Sequence, residues 1–157
     1  MNTKSLSIEL ITSVVERYSD MVVRIACNYT RNMFDAEDIA QDVFMSLLTV
    51  PLIEDDAHLK AWLIRVTINK AKDLLKSARK KRMLPLEAAK NIFTLDSERV
   101  LDGIENLNEK DRTLVYLFYI EGYTAKEIGD MLSLKEGAVL TRLSRARAQI
   151  KILLEKP

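Results

Sequence analysis

The chain has 157 residues, of which 48% are hydrophobic and 30% charged, and its formal net charge is +1. This composition excludes an intrinsically disordered chain, and the length suits one ordinary domain or two small ones. The near-neutral total excludes a uniformly basic surface, so any contact with nucleic acid has to come from local clusters of Lys and Arg.

The first half of the chain predicts three amphipathic helices. Apolar residues recur at three-to-four spacing within residues 11–29 and again within residues 36–48, which is the periodicity of one helix face. Pro51 interrupts the second pattern, and the polar run after it provides a start for a third helix over about residues 57–80. The inward side of the third helix is predicted to hold Leu59, Trp62, Leu63, Val66 and Leu74.

The second half predicts a linker followed by another helical unit. Residues 83–97 contain a proline, have weak periodicity and polar ends, and therefore read as a linker. After a short apolar helix beginning near residue 100, Asn108 is placed to cap the next helix and Gly122 to end it in a left-handed conformation. The sequence thus predicts an all-α fold of two small helical domains, residues 1–82 and 98–157, joined by this linker.

Residues 124–150 have the spacing of a helix-turn-helix motif. Thr124 is placed to cap the first helix, Gly129 allows the following helix to approach closely, and Ser133 lies at the turn. The second helix, predicted over 135–150, would enter the major groove of duplex DNA near its N-terminal end. An ordinary helical hairpin with a charged face is the alternative for this stretch.

Charge is segregated into four blocks along the chain. Residues 34–58 hold seven acids and no Lys or Arg, and residues 59–82 hold nine bases against one acid. Residues 83–111 hold seven acids and three bases, and residues 135–157 hold six bases and two acids. This alternation predicts two faces that bind nucleic acid and at least one other partner surface, the alternative being solvated helix faces.

Cysteine usage and the N-terminal sequence bear on the compartment. The single cysteine, Cys27, excludes a disulfide framework, and it falls on the predicted inner side of the first helix, as expected of a buried thiol. No apolar run is as long as a membrane span, and the first twenty residues lack the apolar core and cleavage site of a signal peptide. We therefore expect a cytoplasmic protein without membrane insertion.

Three segments resemble the regions of one protein family, in the family's order. The segment DAEDIAQDVFMSLL, residues 35–48, is similar to region 2.2 of the extracytoplasmic function (ECF) sigma factors of the sigma-70 family. Residues 61–82 are similar to regions 2.3 and 2.4, and residues 107–150 to region 4. The resemblance implies a bacterial sigma factor that binds core RNA polymerase, recognises promoter DNA and promotes transcription initiation.

The resemblance implies a polymerase-binding surface on the second helix. In the family this surface meets the coiled coil of the polymerase clamp, and an acidic, polar helix face suits a basic partner helix. A solvated face opposite the apolar one is the alternative. The residues at matching positions are Asp35, Asp38, Gln41, Asp42 and Phe44.

The third helix resembles the element that reads the minus-ten region and holds the melted strand. Its basic side chains are expected to contact backbone phosphates, which supply most of the affinity and make it fall with salt. Trp62 is either a core residue or a stacking platform, and the acidic loop at 54–56 departs from the family's base-holding pattern, which leaves the base preference open. The candidate residues are Lys60, Trp62, Arg65, Asn69, Lys72, Lys76, Arg79 and Lys80.

The predicted recognition helix and the cap before the motif supply the candidate contacts to the minus-thirty-five duplex. The family usually has a basic residue where this chain has Leu140, so we expect the contact to persist with one phosphate clamp weakened. Arg147 is expected near the rim or packed on its own domain. The candidate residues are Thr124, Lys135, Glu136, Ala138, Thr141, Arg142, Ser144 and Arg145.

The sequence supports no catalysis, because it lacks a histidine pair, a cysteine pair, a glycine-rich phosphate loop and a ligand cluster of metal spacing. We expect no enzyme activity, no metal and no cofactor. The expected partners are core RNA polymerase, promoter DNA as duplex and melted strand, and an anti-sigma factor, which is common in the family. Two other classes stay open: a dimeric helix-turn-helix regulator that binds duplex DNA without polymerase, and an interaction protein that binds no DNA.

Overall fold

The computed structural model describes residues 8–51, 53, 55–81 and 107–155, without the side chains of residues 8, 78–81 and 151–155. The chain divides into two compact units, residues 1–92 and 93–157. All regular structure in the described part is helical, which confirms the predicted all-α fold of two helical domains. The predicted linker and the short helix near residue 100 lie outside the described residues, and their bounds stay predictions.

The first unit is built from three helices, α1 (Ile8–Thr30), α2 (Met33–Ser46) and α3 (Asp56–Lys81), each packed against the other two. Burial of their apolar faces is the main stabilising contribution, at roughly 25 cal/mol per Å² of apolar surface. The chain reverses after α1 at Arg31, whose φ of 53° lies in the left-handed region. Asn32 then caps α2, because its side-chain oxygen accepts a hydrogen bond from the backbone N–H of Asp35 at 3.0 Å.

The start of α3 is tied to α1 by an acidic side chain. Asp56 accepts hydrogen bonds from Arg17 Nη1 at 2.5 Å and from the Tyr18 hydroxyl at 2.7 Å. A carboxylate in the first turn also interacts favourably with the helix dipole. One acidic residue of the predicted loop therefore has a structural role, and α3 begins one residue before the predicted start.

The inward side of α3 differs from the predicted one. Leu59 and Leu63 are buried as expected, but Trp62, Val66 and Leu74 are half-exposed. The helix has more apolar residues than one face can bury, so Val66 lies just beyond the edge of the buried face and Trp62 lies on the side away from it. The rest of the inward side is formed by Ile64, Thr67, Ile68 and Ala71.

The second unit contains α4 (Glu109–Val115), a π-helical segment (Tyr116–Ile120), α5 (Ala125–Leu132) and α6 (Glu136–Glu155). The side chain of Asn108 accepts a hydrogen bond from the backbone N–H of Asp111 at 2.9 Å, which confirms the predicted cap of α4. Gly122 has a φ of 79° and confirms the predicted left-handed end. The π-helical segment was not predicted. No helix in the described residues is both long enough and apolar enough to span a membrane.

Candidate polymerase and promoter interfaces

The helix-turn-helix motif begins with a reciprocal cap. The Thr124 hydroxyl accepts a hydrogen bond from the Glu127 N–H at 3.1 Å, and the Glu127 carboxylate accepts one from the Thr124 N–H at 2.9 Å. This capping box satisfies two backbone donors that the first turn of α5 leaves open. Thr124, a candidate DNA contact, therefore already uses its hydroxyl to start α5, and the predicted cap is confirmed.

The turn between α5 and α6 depends on a close backbone approach at Gly129. The Leu134 N–H donates to the Gly129 carbonyl at 2.8 Å, and a Cβ atom at position 129 would lie 2.5 Å from the Leu134 carbonyl oxygen. Ser133 adopts the left-handed conformation with φ 58°. Glycine at 129 and a short polar residue at 133 thus allow the tight turn.

The recognition helix α6 begins at Glu136, one residue after the predicted start. The carbonyl of Lys135 accepts the first hydrogen bonds, from the N–H groups of Ala138 at 3.0 Å and Val139 at 3.1 Å. Val139 packs inward with Leu143 and Ala146, all buried, so the opposite side of the helix is open to solvent. We call the exposed residues of that side the α6 face: Gly137, Ala138, Thr141, Ser144, Arg145 and Ala148.

The α6 face brings together four of the eight candidate contacts to the minus-thirty-five duplex. Lys135 and Glu136 are also exposed, and they lie at the N-terminal end of α6. Arg142 points elsewhere. Its side chain is 35% exposed, and its Nη1 lies 3.3 Å from the Asp111 carboxylate on α4. Arg147 donates to the Tyr119 hydroxyl at 2.9 Å and so contacts its own domain, as expected.

The exposed side of α2 carries acidic and large apolar side chains together. Asp38, Gln41 and Asp42 are exposed as expected of a presented face, and Asp35 is half-buried at the start of the helix. Phe44 does not lie on this face: only 9% of it is exposed, because it follows Val43 around the buried side of α2. It lines an open apolar groove between α1 and α2.

Large apolar residues on the same side of α2 were missed by the sequence reasoning. Phe34 is 80% exposed and Met45 62%, and they lie four residues before Asp38 and four after Gln41. Leu48, in the turn that follows, is 52% exposed. The helical phase of the core residues could have revealed them, since positions 34 and 45 fall opposite Ile39 and Val43. We define the α2 face as Phe34, Asp38, Gln41, Asp42 and Met45.

One side of α3 combines basic, amide and indole groups. Trp62 and Arg65 are half-exposed on the side away from the core, and Asn69, Lys72 and Lys76 continue that side as exposed residues. The spacing of 62, 65, 69, 72 and 76 is that of one helix face. Lys60 is half-buried and lies on another side of α3, while the side chains of Arg79 and Lys80 lie outside the described residues.

The thiol of Cys27 is buried, with 1% exposed. Burial, and secondarily the charge of Glu37, raises the pKa of this thiol to about 12. A thiol with such a pKa is protonated near neutral pH and is a poor nucleophile. In the described part of the chain no group of three His, Cys, Asp or Glu residues could hold a metal ion.

Two family models match the chain: sigma-70 region 2 over residues 14–81 and sigma-70 region 4 over residues 97–150. The chain is 26% identical over 164 residues to the ECF RNA polymerase sigma factor SigW of Bacillus subtilis, covering 91% of this chain and 88% of SigW. It is 30% identical over 155 residues to the protein named probable RNA polymerase sigma factor RfaY of Xanthomonas campestris, covering 88% of this chain but only 38% of RfaY's length.

The fold is also similar to a solved structure. CnrH, an RNA polymerase sigma factor of Cupriavidus metallidurans solved in complex with the cytosolic domain of CnrY, aligns with a TM-score of 0.67 and 27% identity. The alignment covers 98% of this chain and 92% of CnrH. The two family regions fall in the two helical units, one in each, and the region 4 match includes the helix-turn-helix motif. The chain belongs to the ECF subfamily of the sigma-70 family of RNA polymerase sigma factors.

Proposed function

We propose that this chain is an alternative sigma factor that binds core RNA polymerase, recognises promoter DNA and promotes transcription initiation. The observation that carries the proposal is that one chain contains both a region 2 and a region 4 match, each with its own exposed surface. The chain itself catalyses nothing in this account, because RNA synthesis belongs to the polymerase. It works in the cytoplasm, where polymerase and promoter DNA are.

The α2 face is the proposed contact for core polymerase. Protein interfaces are dominated by a few large side chains at their centre, and aromatic residues and Met are enriched there. Phe34 and Met45 provide such side chains on exposed helix surface, and Asp38 and Asp42 lie between them. The acids favour a basic partner helix and would set its orientation and rate of association.

The outer side of α3 is the proposed contact for the melted minus-ten strand. Single-stranded DNA is held by cations along the backbone and by aromatic rings on which bases stack. Arg65, Lys72 and Lys76 provide the cations, and the half-exposed indole of Trp62 lies on the same side. The half-exposed position of Trp62 favours the stacking role over the core role.

The α6 face is the proposed contact for the minus-thirty-five duplex. Its side chains are small apart from Arg145, so the helix backbone can lie close to the floor of a major groove. Arg145 can donate to guanine or to a phosphate. We propose that Arg142 acts mainly through its ion pair with Asp111, which ties α6 to α4.

A dimeric regulator that binds only duplex DNA is the alternative. It would use the helix-turn-helix motif, but it has no need for a basic, indole-bearing side on α3 or for the α2 face. We therefore favour the sigma factor. An anti-sigma factor, which is common in the family, is the proposed regulator, and the relative CnrH was solved with a protein partner, the cytosolic domain of CnrY.

Run-off transcription tests the proposal. The purified chain is added to sigma-free bacterial core polymerase with a library of genomic promoter fragments, and the RNA 5′ ends are sequenced. We expect new start sites that share upstream elements and that depend on the chain. Duplex binding without polymerase, together with an absence of new starts, would favour the dimeric regulator instead.

A further inference from the structure

Leu140 is the one large apolar side chain exposed on the described part of α6. Its exposed fraction is 48%, whereas Val139 and Leu143 beside it are buried. A single exposed leucine is unremarkable on an ordinary surface. Here it lies on the helix that is proposed to enter the major groove, where every side chain near the bases bears on recognition.

The position of Leu140 suits contact with base edges. It is the fifth residue of α6, within the N-terminal part of a recognition helix, which is the part that reaches bases. Its exposed neighbours one turn away are Glu136, Gly137 and Ser144. A Cβ atom at Gly137 would meet no atom within 4 Å, so the space over Gly137, beside Leu140, is open to an approaching duplex.

The major groove of DNA offers one kind of apolar group that this side chain can contact. The edges of the base pairs present donors and acceptors in the major groove, and the C5-methyl of thymine is the apolar group among them. Leucine cannot donate or accept a hydrogen bond, and covering polar base atoms with it would cost their hydration. We infer that Leu140 reads the methyl group of a thymine in the minus-thirty-five element. The inference rests on the proposed function and adds a specificity-determining residue to the α6 face.

A protein partner is the less favoured occupant of this position. Protein docking sites take a contiguous apolar patch, whereas Leu140 is surrounded on α6 by small or polar exposed residues. Lys135 and Arg145 are exposed five residues before and after it, which places them on other sides of the helix. A duplex needs no contiguous apolar patch, because thymine methyl groups are single apolar groups among polar base edges.

Deoxyuridine substitution tests the inference, because it removes only the methyl group. In a promoter identified by run-off transcription, each thymine of the minus-thirty-five element is replaced singly by deoxyuridine. Competition binding is measured with the holoenzyme formed by the full chain and sigma-free core polymerase. We expect one position at which the replacement weakens binding about 3- to 5-fold, the effect of one buried methyl group.

Two variants assign the effect to Leu140. Holoenzyme with Leu140→Ala should bind the thymine and deoxyuridine promoters equally. Ile120→Ala removes a side chain of similar exposure, 44%, outside α6, and should retain the preference. Circular dichroism of both variants checks that the fold is unchanged.

The outcomes separate this inference from the proposed function. Normal initiation with no methyl-sensitive position, with no thymine in the element, or with sensitivity retained in Leu140→Ala would overturn the inference alone. A holoenzyme that initiates nowhere would overturn the proposed function and this inference with it.

Discussion

The α2 face and the α6 face are both exposed sides of amphipathic helices, but they are built from different residues. The α2 face places Phe34 and Met45, which are 80% and 62% exposed, around two carboxylates. The α6 face consists of Gly, Ala, Ser and Thr with one arginine. Large exposed side chains suit pockets of a protein partner, whereas small ones let a helix lie deep in a DNA groove.

This contrast explains why the net charge of the chain does not indicate which partners its surfaces bind. The total of +1 hides an acidic helix suited to a basic protein and basic helices suited to DNA. Side-chain size separates the two surfaces further, because a charge run by itself fits a solvated face equally well. The exposure of large apolar side chains in the folded protein, such as Phe34 and Met45, is therefore the observation that distinguishes a protein-binding surface from a merely solvated one.

The largest effect is expected from reversing the charge of the α2 face. Asp38→Lys combined with Asp42→Lys should weaken polymerase binding by more than about 4 kcal/mol, or roughly 1000-fold, because like charges would meet at the interface. Co-purification with core polymerase measures it. Asp73→Lys with Asp130→Lys is the matched control, since both residues are exposed and lie outside α2. Equal retention by both double variants would place the polymerase contact elsewhere.

A pair of phenylalanines sharpens the distinction between the two sides of α2. Phe44→Ala should lower the free energy of unfolding by about 3 to 5 kcal/mol, because the buried ring leaves a cavity. Phe34→Ala should leave stability nearly unchanged and weaken polymerase binding by about 2 kcal/mol. Urea unfolding and a polymerase titration give the two quantities. The reverse pattern would mean that Phe34 is the buried residue and that Phe44 contacts the polymerase.

The α6 face is tested by its arginine. Arg145→Ala should weaken binding to the cognate promoter by about 1 to 3 kcal/mol if Arg145 contacts a base. Arg147→Ala removes the same charge from a residue bound to Tyr119, and should cost less. Binding is compared across promoters that differ in the minus-thirty-five element. A uniform loss across all sequences would reassign Arg145 to a phosphate.

The smallest effect concerns Arg142, which the sequence alone assigned to DNA. A double-mutant cycle of Asp111→Ala and Arg142→Ala should give a coupling of about 0.2 to 1 kcal/mol in unfolding, because the pair is partly exposed and screened. Thermal or urea unfolding of the four proteins measures it. Zero coupling, with a loss confined to DNA binding, would return Arg142 to the set of DNA contacts.

Local features of this fold could be predicted from single residues. The caps at Asn108 and Thr124, the left-handed Gly122 and the close approach at Gly129 each depend on the chemistry of one side chain, or on its absence. These features need only short-range interactions, so the sequence displays them directly.

Features that depend on helix phase or on distant contacts were not predictable in the same way. Helices α2 and α3 carry apolar residues on more than one side, so Trp62 was predicted inward but is half-exposed, while Phe44 lies in the buried apolar pattern and not on the exposed face that the resemblance implied. The pairing of Arg142 with Asp111 spans 31 positions of the chain, and no local pattern encodes it. The π-helical segment after Val115 was not predicted either, because nothing in its composition marks a change of helix type.

Site-specific photo-crosslinking in one holoenzyme–promoter complex tests the division of labour between the two faces most directly. A photoreactive residue is placed at Met45 in one sample and at Thr141 in another, both positions being exposed. Our account predicts that position 45 crosslinks to a polymerase subunit and position 141 to DNA near the minus-thirty-five element. Crosslinking of position 45 to DNA, or of position 141 to polymerase alone, would contradict it.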